Sequence, residues 1–165
     1  MANLTLRAAE PGDIPAILEI WNAAIRDTTV TFTTQPKTRA ELAERLRAPF
    51  PFLVADHAGG IAGFATCGAF RSGPGYAHTF EHSIYLRPDQ QAQGTGRALM
   101  GALERDAAAA GAHSLIGALS GTNEAALRFH QALGYDTVAH IPQAGRKNDQ
   151  WLDLLLVQKI LHFPA

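Results

Sequence analysis

The segment Gln91-Ala92-Gln93-Gly94-Thr95-Gly96-Arg97 follows an apolar run, Ser83-Ile84-Tyr85-Leu86, and opens a helical pattern that begins near Ala98. A strand feeding a glycine-rich turn into a helix N-terminus aims unpaired backbone N–H groups and the positive end of the helix dipole at one point. Such a junction suits a phosphate. Gly94 and Gly96 are expected to let the backbone approach a ligand closely, and Arg97 adds a permanent positive charge beside them. The spacing lacks the Gly-Lys-Ser/Thr of a P-loop and the third glycine of the dinucleotide fingerprint, which leaves a pyrophosphate as the expected guest. The alternative reading is a plain helix start, because a single Gly-x-Gly at a strand–helix junction is common.

Whatever binds there binds locally. The 165 residues carry 14 Lys+Arg against 15 Asp+Glu, a net charge of -1, so no electrostatic footprint for nucleic acid or an anionic membrane is present. The length fits one domain, residues 1–165, able to bury a core without disulfides or metals. Cys67 is the only cysteine and lies in the apolar stretch Ile61 to Ala69, where it reads as a buried thiol. With no disulfide possible and neither a basic stretch nor an apolar segment at Met1-Ala2-Asn3-Leu4-Thr5, a cytoplasmic setting is expected.

The elements that position the cradle follow from periodicity. Leu4 to Arg7 alternates as an edge strand, and Asp13 starts a helix with Ile14, Ile17, Leu18 and Trp21 on one face. Thr38 and Glu41 form a capping box for a second helix that runs to Leu46 and is stopped by Pro49 and Pro51. Phe52 to Ala55 and Ile61 to Ala65 flank a Gly59-Gly60 turn, and Thr79 to Leu86 makes a third antiparallel strand after a Gly/Pro-rich loop at 71–77. A helix from Gly94 to Ala110 stops at Gly111, and a short strand covers Ser114 to Ala118. A helix capped by Asn123 or Thr122 closes at Gly134, and strands near Thr137 to Ile141 and Trp151 to Val157 end the chain. The order βααβββαβαββ predicts an α/β fold: a mixed, mostly antiparallel sheet with helices on both faces, splayed where the pairing changes.

In Gln91, Gly94 and Gly96 the chain matches Gln/Arg-x-x-Gly-x-Gly/Ala and resembles the GNAT superfamily of acyl-CoA-dependent N-acetyltransferases. The resemblance runs over nearly the whole chain. It is closest to the phosphinothricin acetyltransferase-like branch, through Thr29-Val30-Thr31-Phe32, Thr79 to Leu86, Leu127-Arg128-Phe129-His130, Leu133-Gly134-Tyr135 and Gly145-Arg146-Lys147. It implies acetyl-CoA as acyl donor. The backbone of Ile84, Tyr85 and Leu86 would pair with the pantetheine arm as with another strand, Gln91, Ala92, Gln93, Gly94, Thr95, Gly96 and Arg97 would hold the pyrophosphate, and Asn123 would touch the cofactor.

The chemistry implied is attack of a neutral amine on the acetyl carbonyl within a ternary complex, which needs a proton acceptor. Glu81 is the candidate base, since a carboxylate inside an apolar strand is costly unless paired or used; the alternative is a solvent-facing position on a half-exposed strand. His130 matches a histidine proposed in this branch to assist catalysis, and Tyr135 is the candidate proton donor to the leaving thiolate, each against the alternative of core packing. His78 and His82 lie four apart on a strand without a third ligand, so no metal is expected.

Members of the branch acetylate the α-amine of small amino-acid-like molecules such as methionine sulfone, methionine sulfoximine and phosphinothricin. The expected pocket wall is Phe32, Arg71, Ser72, Gly73, Glu81, His82 and Ser83. Gly73 stands where phosphinothricin-specific relatives carry an arginine, while Arg71-Ser72 and His78 to Ser83 look more like the methionine sulfone and sulfoximine type. The resemblance also implies a homodimer, with Lys147 and Trp151 in a segment that completes the pocket or the dimer contact. The competing readings are an acetyltransferase of peptide or protein N-termini and a non-catalytic acyl-CoA-binding module.

Overall fold

Alternation along the strands decides which helices cover which face. In the computed structural model, which describes residues 4–162, a seven-stranded sheet runs in the order β1-β2-β3-β4-β5-β7-β6. Its strands are β1 (Thr5–Ala8), β2 (Phe52–His57), β3 (Gly60–Ala69), β4 (Thr79–Leu86), β5 (Ser114–Ser120), β6 (Asp136–Lys147) and β7 (Gln150–Ile160). The helices are α1 (Ile14–Asp27), α2 (Arg39–Arg47), α3 (Thr95–Ala109) and α4 (Glu124–Ala132). The element order is the one expected; Met1 to Asn3, part of the leader reading, lie outside the described residues.

Phe52 and Val54 of β2 point to α1 and α2, joining Ile17, Trp21, Leu42 and Phe64, while Leu53 and Ala55 point to the opposite face with Leu99, Met100 and Leu103 of α3. Burial on both faces explains the nearly continuous apolar run of β3. On β4, Phe80, Ile84 and Leu86 pack toward α3 and α4, and Tyr85 packs toward α1 beside Trp21. The capping box at α2 forms as expected: Glu41 N–H donates to Thr38 Oγ1 at 3.2 Å, and Thr38 N–H donates to Glu41 Oε2 at 2.7 Å.

Two boundaries differ in an instructive way. α3 begins at Thr95, because Gly94 sits at φ +86° as its N-cap. β6 and β7 are far longer than the alternating segments that signalled them, since they pair as a hairpin around Asn148-Asp149, both at positive φ (51° and 58°). Asn and Asp tolerate that conformation, so the turn carries a signal even without glycine.

Candidate active site at the opening of the sheet

Among the described residues, the only parallel junction in the sheet is also where it opens. β4 pairs with β3 along its length, from Ala69 opposite Phe80 to Gly63 opposite Leu86. It pairs with β5 only from Thr79 opposite Ser114 to His82 opposite Gly117. Beyond that, Ser83–Leu86 and Ala118–Ser120 separate, each still held on its outer side, by β3 and β7 respectively. The inner-side N–H and C=O groups of both segments are left without a strand partner, a ready edge for an extended, amide-bearing molecule.

β4 leads from that edge into the cradle. After Leu86 the chain makes a 3-10 turn at Pro88–Gln90, passes Gln91, Ala92 and Gln93, and enters α3. No side chain caps α3. Ala98 N–H reaches Gly94 O, so the N–H groups ahead of it at the first turn are those a bound anion would use. The two glycines divide the work differently from the sequence expectation. A Cβ on Gly94 would meet open space, and glycine is required there by its left-handed backbone. A Cβ on Gly96 would come within 3.3 Å of both Leu86 and Phe129, so Gly96 serves the packing of α3 against β4 and α4. Ala92 at φ 60° shows that the loop holds a conformation unfavourable for a residue with a Cβ. Arg97 is exposed, and Asn123 caps α4 by accepting from Ala126 N–H at 3.1 Å.

A chamber of about 300 Å³ opens on the α1 side of the junction, lined by Val30, Thr31, Phe32, Thr33, Glu81, His82, Ser83, Tyr85, Ala118, Leu119, Ser120 and Leu154. Glu81 is the only acidic residue among these, and no Lys or Arg is among them. It lies at the closed end of the gap, one residue before the last parallel pair, and burial pushes its carboxyl above the usual glutamate range. Ser83 and Tyr85 share its face of β4.

Of the expected site residues the structure thus brings Phe32, Glu81, His82, Ser83 and Tyr85 to one chamber and places the others elsewhere. His82 contributes its backbone position, but its side chain alternates to the far face, where it is 5% exposed beneath α4. There its Nε2 lies 2.9 Å from His130 Nε2, and the two rings stack. His130 Nδ1 lies 2.8 Å from Ala126 O and must donate to it, so His130 Nε2 accepts and His82 Nε2 donates. Burial holds both imidazoles below the usual histidine range, hence neutral. Both nitrogens of His130 are thereby occupied away from the chamber. Tyr135 is likewise a core residue: 2% exposed, its hydroxyl donates to Glu104 at 3.2 Å, and burial beside that carboxylate raises its pKa strongly. Its hydroxyl is turned to Glu104 in the core, and Tyr135 is not among the residues lining the chamber.

Arg71, Ser72 and Gly73 are exposed and outside the chamber lining; the Arg71 guanidinium lies 5.7 Å from the Tyr76 ring centroid. Cys67 pairs directly across from His82, yet burial pushes its thiol up to about 12, so the two make no thiolate–imidazolium pair. Sequence reasoning missed the chamber positions of Thr31 and Thr33, whose signal was the polar, β-branched stretch Thr28 to Gln35, and of Ser120 at the end of β5, which no local pattern marked. It also missed what Lys147 does: Nζ donates to the carbonyls of Ile25 at 2.6 Å and Thr31 at 2.8 Å.

A sheet that parts beside a helix N-terminus with no side-chain cap, and that carries a desolvated carboxylate on the parted face, offers an edge for an extended amide-bearing molecule and a base beside it. Comparison with known proteins agrees. Residues 17–135 match the Acetyltransferase (GNAT) family. The chain is 36% identical to the L-amino acid N-acyltransferase MnaT of Escherichia coli, over 94% of this chain and 92% of that protein. It is 37% identical to an L-methionine sulfoximine/L-methionine sulfone acetyltransferase of Pseudomonas aeruginosa, over 93% and 92%. The structure of yncA, an acetyltransferase from Salmonella typhimurium with its cofactor acetyl-CoA, superimposes with a TM-score of 0.93 at 34% identity, covering 99% of this chain and 96% of that one. The chain belongs to the Acetyltransferase (GNAT) family and is an acyltransferase.

Proposed function

We propose that this enzyme transfers the acetyl group of acetyl-CoA to the α-amine of a small amino-acid-like acceptor of the methionine sulfone, methionine sulfoximine or phosphinothricin type, with donor and acceptor bound together. The observation that carries this reading is the end of β4–β5 pairing at His82 and Gly117, immediately beside Glu81. The pantetheine amides satisfy the free edges of Ser83–Leu86, the N-terminus of α3 meets the pyrophosphate, and the thioester comes to rest where the strands rejoin. Residues 1–165 act as one unit in this reading.

The acceptor enters from the α1 side. An amine arrives protonated at neutral pH, and a chamber whose one charged group is a carboxylate attracts it. Glu81, raised by desolvation, then takes a proton from the amine directly or through water, and the neutral nitrogen attacks the carbonyl. The tetrahedral intermediate collapses as the C–S bond breaks, the nitrogen's remaining surplus proton passes to the departing CoA thiolate to give the free thiol, and Glu81 returns its proton to solvent. The Ser83 hydroxyl is the one on offer to a polar acceptor side chain, since Thr33 Oγ1 accepts from Gln35 N–H at 3.2 Å and Ser120 Oγ lies 3.0 Å from Thr122 Oγ1; Arg71, outside the lining, is the guanidinium this reading assigns to the acceptor carboxylate.

The reading includes a cytoplasmic homodimer. Val138, Ile141, Trp151 and Ile160, exposed on β6 and β7 at 51%, 43%, 60% and 38%, support a pairing surface there. No helix among the described residues is long and apolar enough to cross a membrane. A panel of free amino acids, sulfone and sulfoximine analogues and N-terminal peptides, assayed by thiol release from acetyl-CoA, tests the acceptor. Turnover of the analogues is expected, and turnover of peptides alone would overturn the assignment.

A further inference from the structure

β6 exposes eleven of its twelve residues fully or partly, and its one buried residue is a lysine. Lys147 is 4% exposed, and no carboxylate among the described residues lies within ion-pair distance of it. A buried ammonium without a counter-ion is costly, and an apolar residue would fill the space at less expense. What the lysine gains is two backbone acceptors. Ile25 O belongs to the last turn of α1, where carbonyls lack helical partners and carry the negative end of the dipole. Thr31 O belongs to the connector that follows α1 and forms one wall of the chamber through Val30, Thr31, Phe32 and Thr33.

A second contact grips the same connector. A Cβ built on Gly145, two residues before Lys147 on β6, would collide with the Phe32 ring. Glycine there lets the ring lie directly on the strand. The connector is thus tied at Thr31 by charge-assisted bonds and seated at Phe32 on bare backbone, both from one end of β6.

We propose that Lys147 is a positioning residue for the acceptor: its ammonium staples the end of α1 to the 28–33 connector, seats Phe32 on Gly145, and so sets the chamber wall that meets the amine-bearing substrate. The inference rests on the chamber being the acceptor site. Lys147 touches no reacting atom. Its removal therefore loosens acceptor binding while leaving the acetyl-CoA cradle on β4 and α3 untouched.

The test is Lys147→Met, which keeps the aliphatic stem and removes the donors. In the full-length protein the acceptor KM should rise about tenfold, the value for a loss of about 1.4 kcal/mol, with acetyl-CoA KM and kcat at saturating acceptor changed less than about twofold. Amide exchange at the bonded N–H groups of the end of α1 and the start of the connector, Ala24–Val30, should quicken about tenfold while the amides of β2 and β3 keep their protection. In a Phe32→Ala background the same substitution should add less than about twofold, because the two residues act through one wall. Unchanged exchange, unchanged acceptor KM, or an equal rise for both substrates overturns the proposal. If Lys147→Met does not fold, Gly145→Ala, which displaces Phe32 with Lys147 intact, must raise acceptor KM selectively or the proposal fails. Exchange requires no acceptor, so a loosened connector in a protein that acetylates no amino acid would discredit the acceptor reading and leave the staple standing.

Discussion

β3 and β6 are of similar length and opposite fate. Seven of the ten residues of β3 are buried, sealed between α1 and α3, whereas β6 buries only Lys147 among its twelve. The difference separates the two walls of the chamber. The donor wall, β4 with the first turn of α3, leans on β3 and inherits the rigidity of a strand packed on both faces. The acceptor wall is a connector without regular structure, and its place is set by two contacts from an exposed ribbon. A fixed wall for a common carrier and an adjustable wall for a variable acceptor is the division of labour this predicts.

The sharpest break in that comparison comes from the donor side. Glu81→Gln should lower kcat by roughly 10²–10⁴-fold, the range for losing a general base, with acetyl-CoA affinity by calorimetry unchanged. In the parent enzyme the rate should fall on acidification with a midpoint above the usual glutamate value, because burial raises the Glu81 carboxyl and only its ionised form accepts a proton. A profile identical in the variant would remove Glu81 from the chemistry. Next in size is Gly96→Val, whose added atoms crowd Leu86 and Phe129. It should cost about 1–3 kcal/mol of stability in thermal melts and raise acetyl-CoA KM several-fold without a matching rise for the acceptor. That pattern mirrors the one expected of Lys147→Met, and the two together separate the walls.

Tyr135→Phe probes the boundary between site and core. Loss of the hydroxyl's bond to Glu104 should lower stability by about 1 kcal/mol, while kcat stays within about twofold. A kcat loss of about 100-fold or more would return Tyr135 to the mechanism. The smallest effect is expected at the Arg7–Asp13 pair, outside the chamber lining. Asp13 is held below the usual aspartate range first by its hydrogen bonds from Arg7, at 2.8 and 2.9 Å. A lowered folded-state pKa stabilises fully above the ordinary value of 3.8 and is lost as pH falls from there through the lowered value, so Asp13→Asn should flatten acid unfolding in that window.

The parts legible in the sequence were those written locally. The Thr38–Glu41 capping box, the Gly111 stop, the Thr79–Leu86 strand and the glycine turn before α3 each follow from a few adjacent residues, and the resemblance assembled them into the right sheet. Side-chain direction was harder. His82 and Ser83 both border the chamber, but successive strand residues face opposite ways, and the neighbours that take in the His82 ring are His130, 48 residues on, and Tyr135. Lys147 shows the limit most clearly. Its acceptors are backbone carbonyls 122 and 116 residues earlier, and no periodicity or spacing records a carbonyl. Gly96 carried a motif signal for phosphate approach, and its neighbours Leu86 and Phe129 give it a packing role that no motif records.

The account stands on the parting of β4 from β5 as the seat of the acyl carrier. Amide hydrogen exchange of the full-length protein with and without acetyl-CoA reads that directly. Saturable protection confined to Ser83–Leu86 and the first turn of α3 at Thr95–Arg97 is the predicted result. Saturation with no change at those amides, or protection only elsewhere, would contradict it.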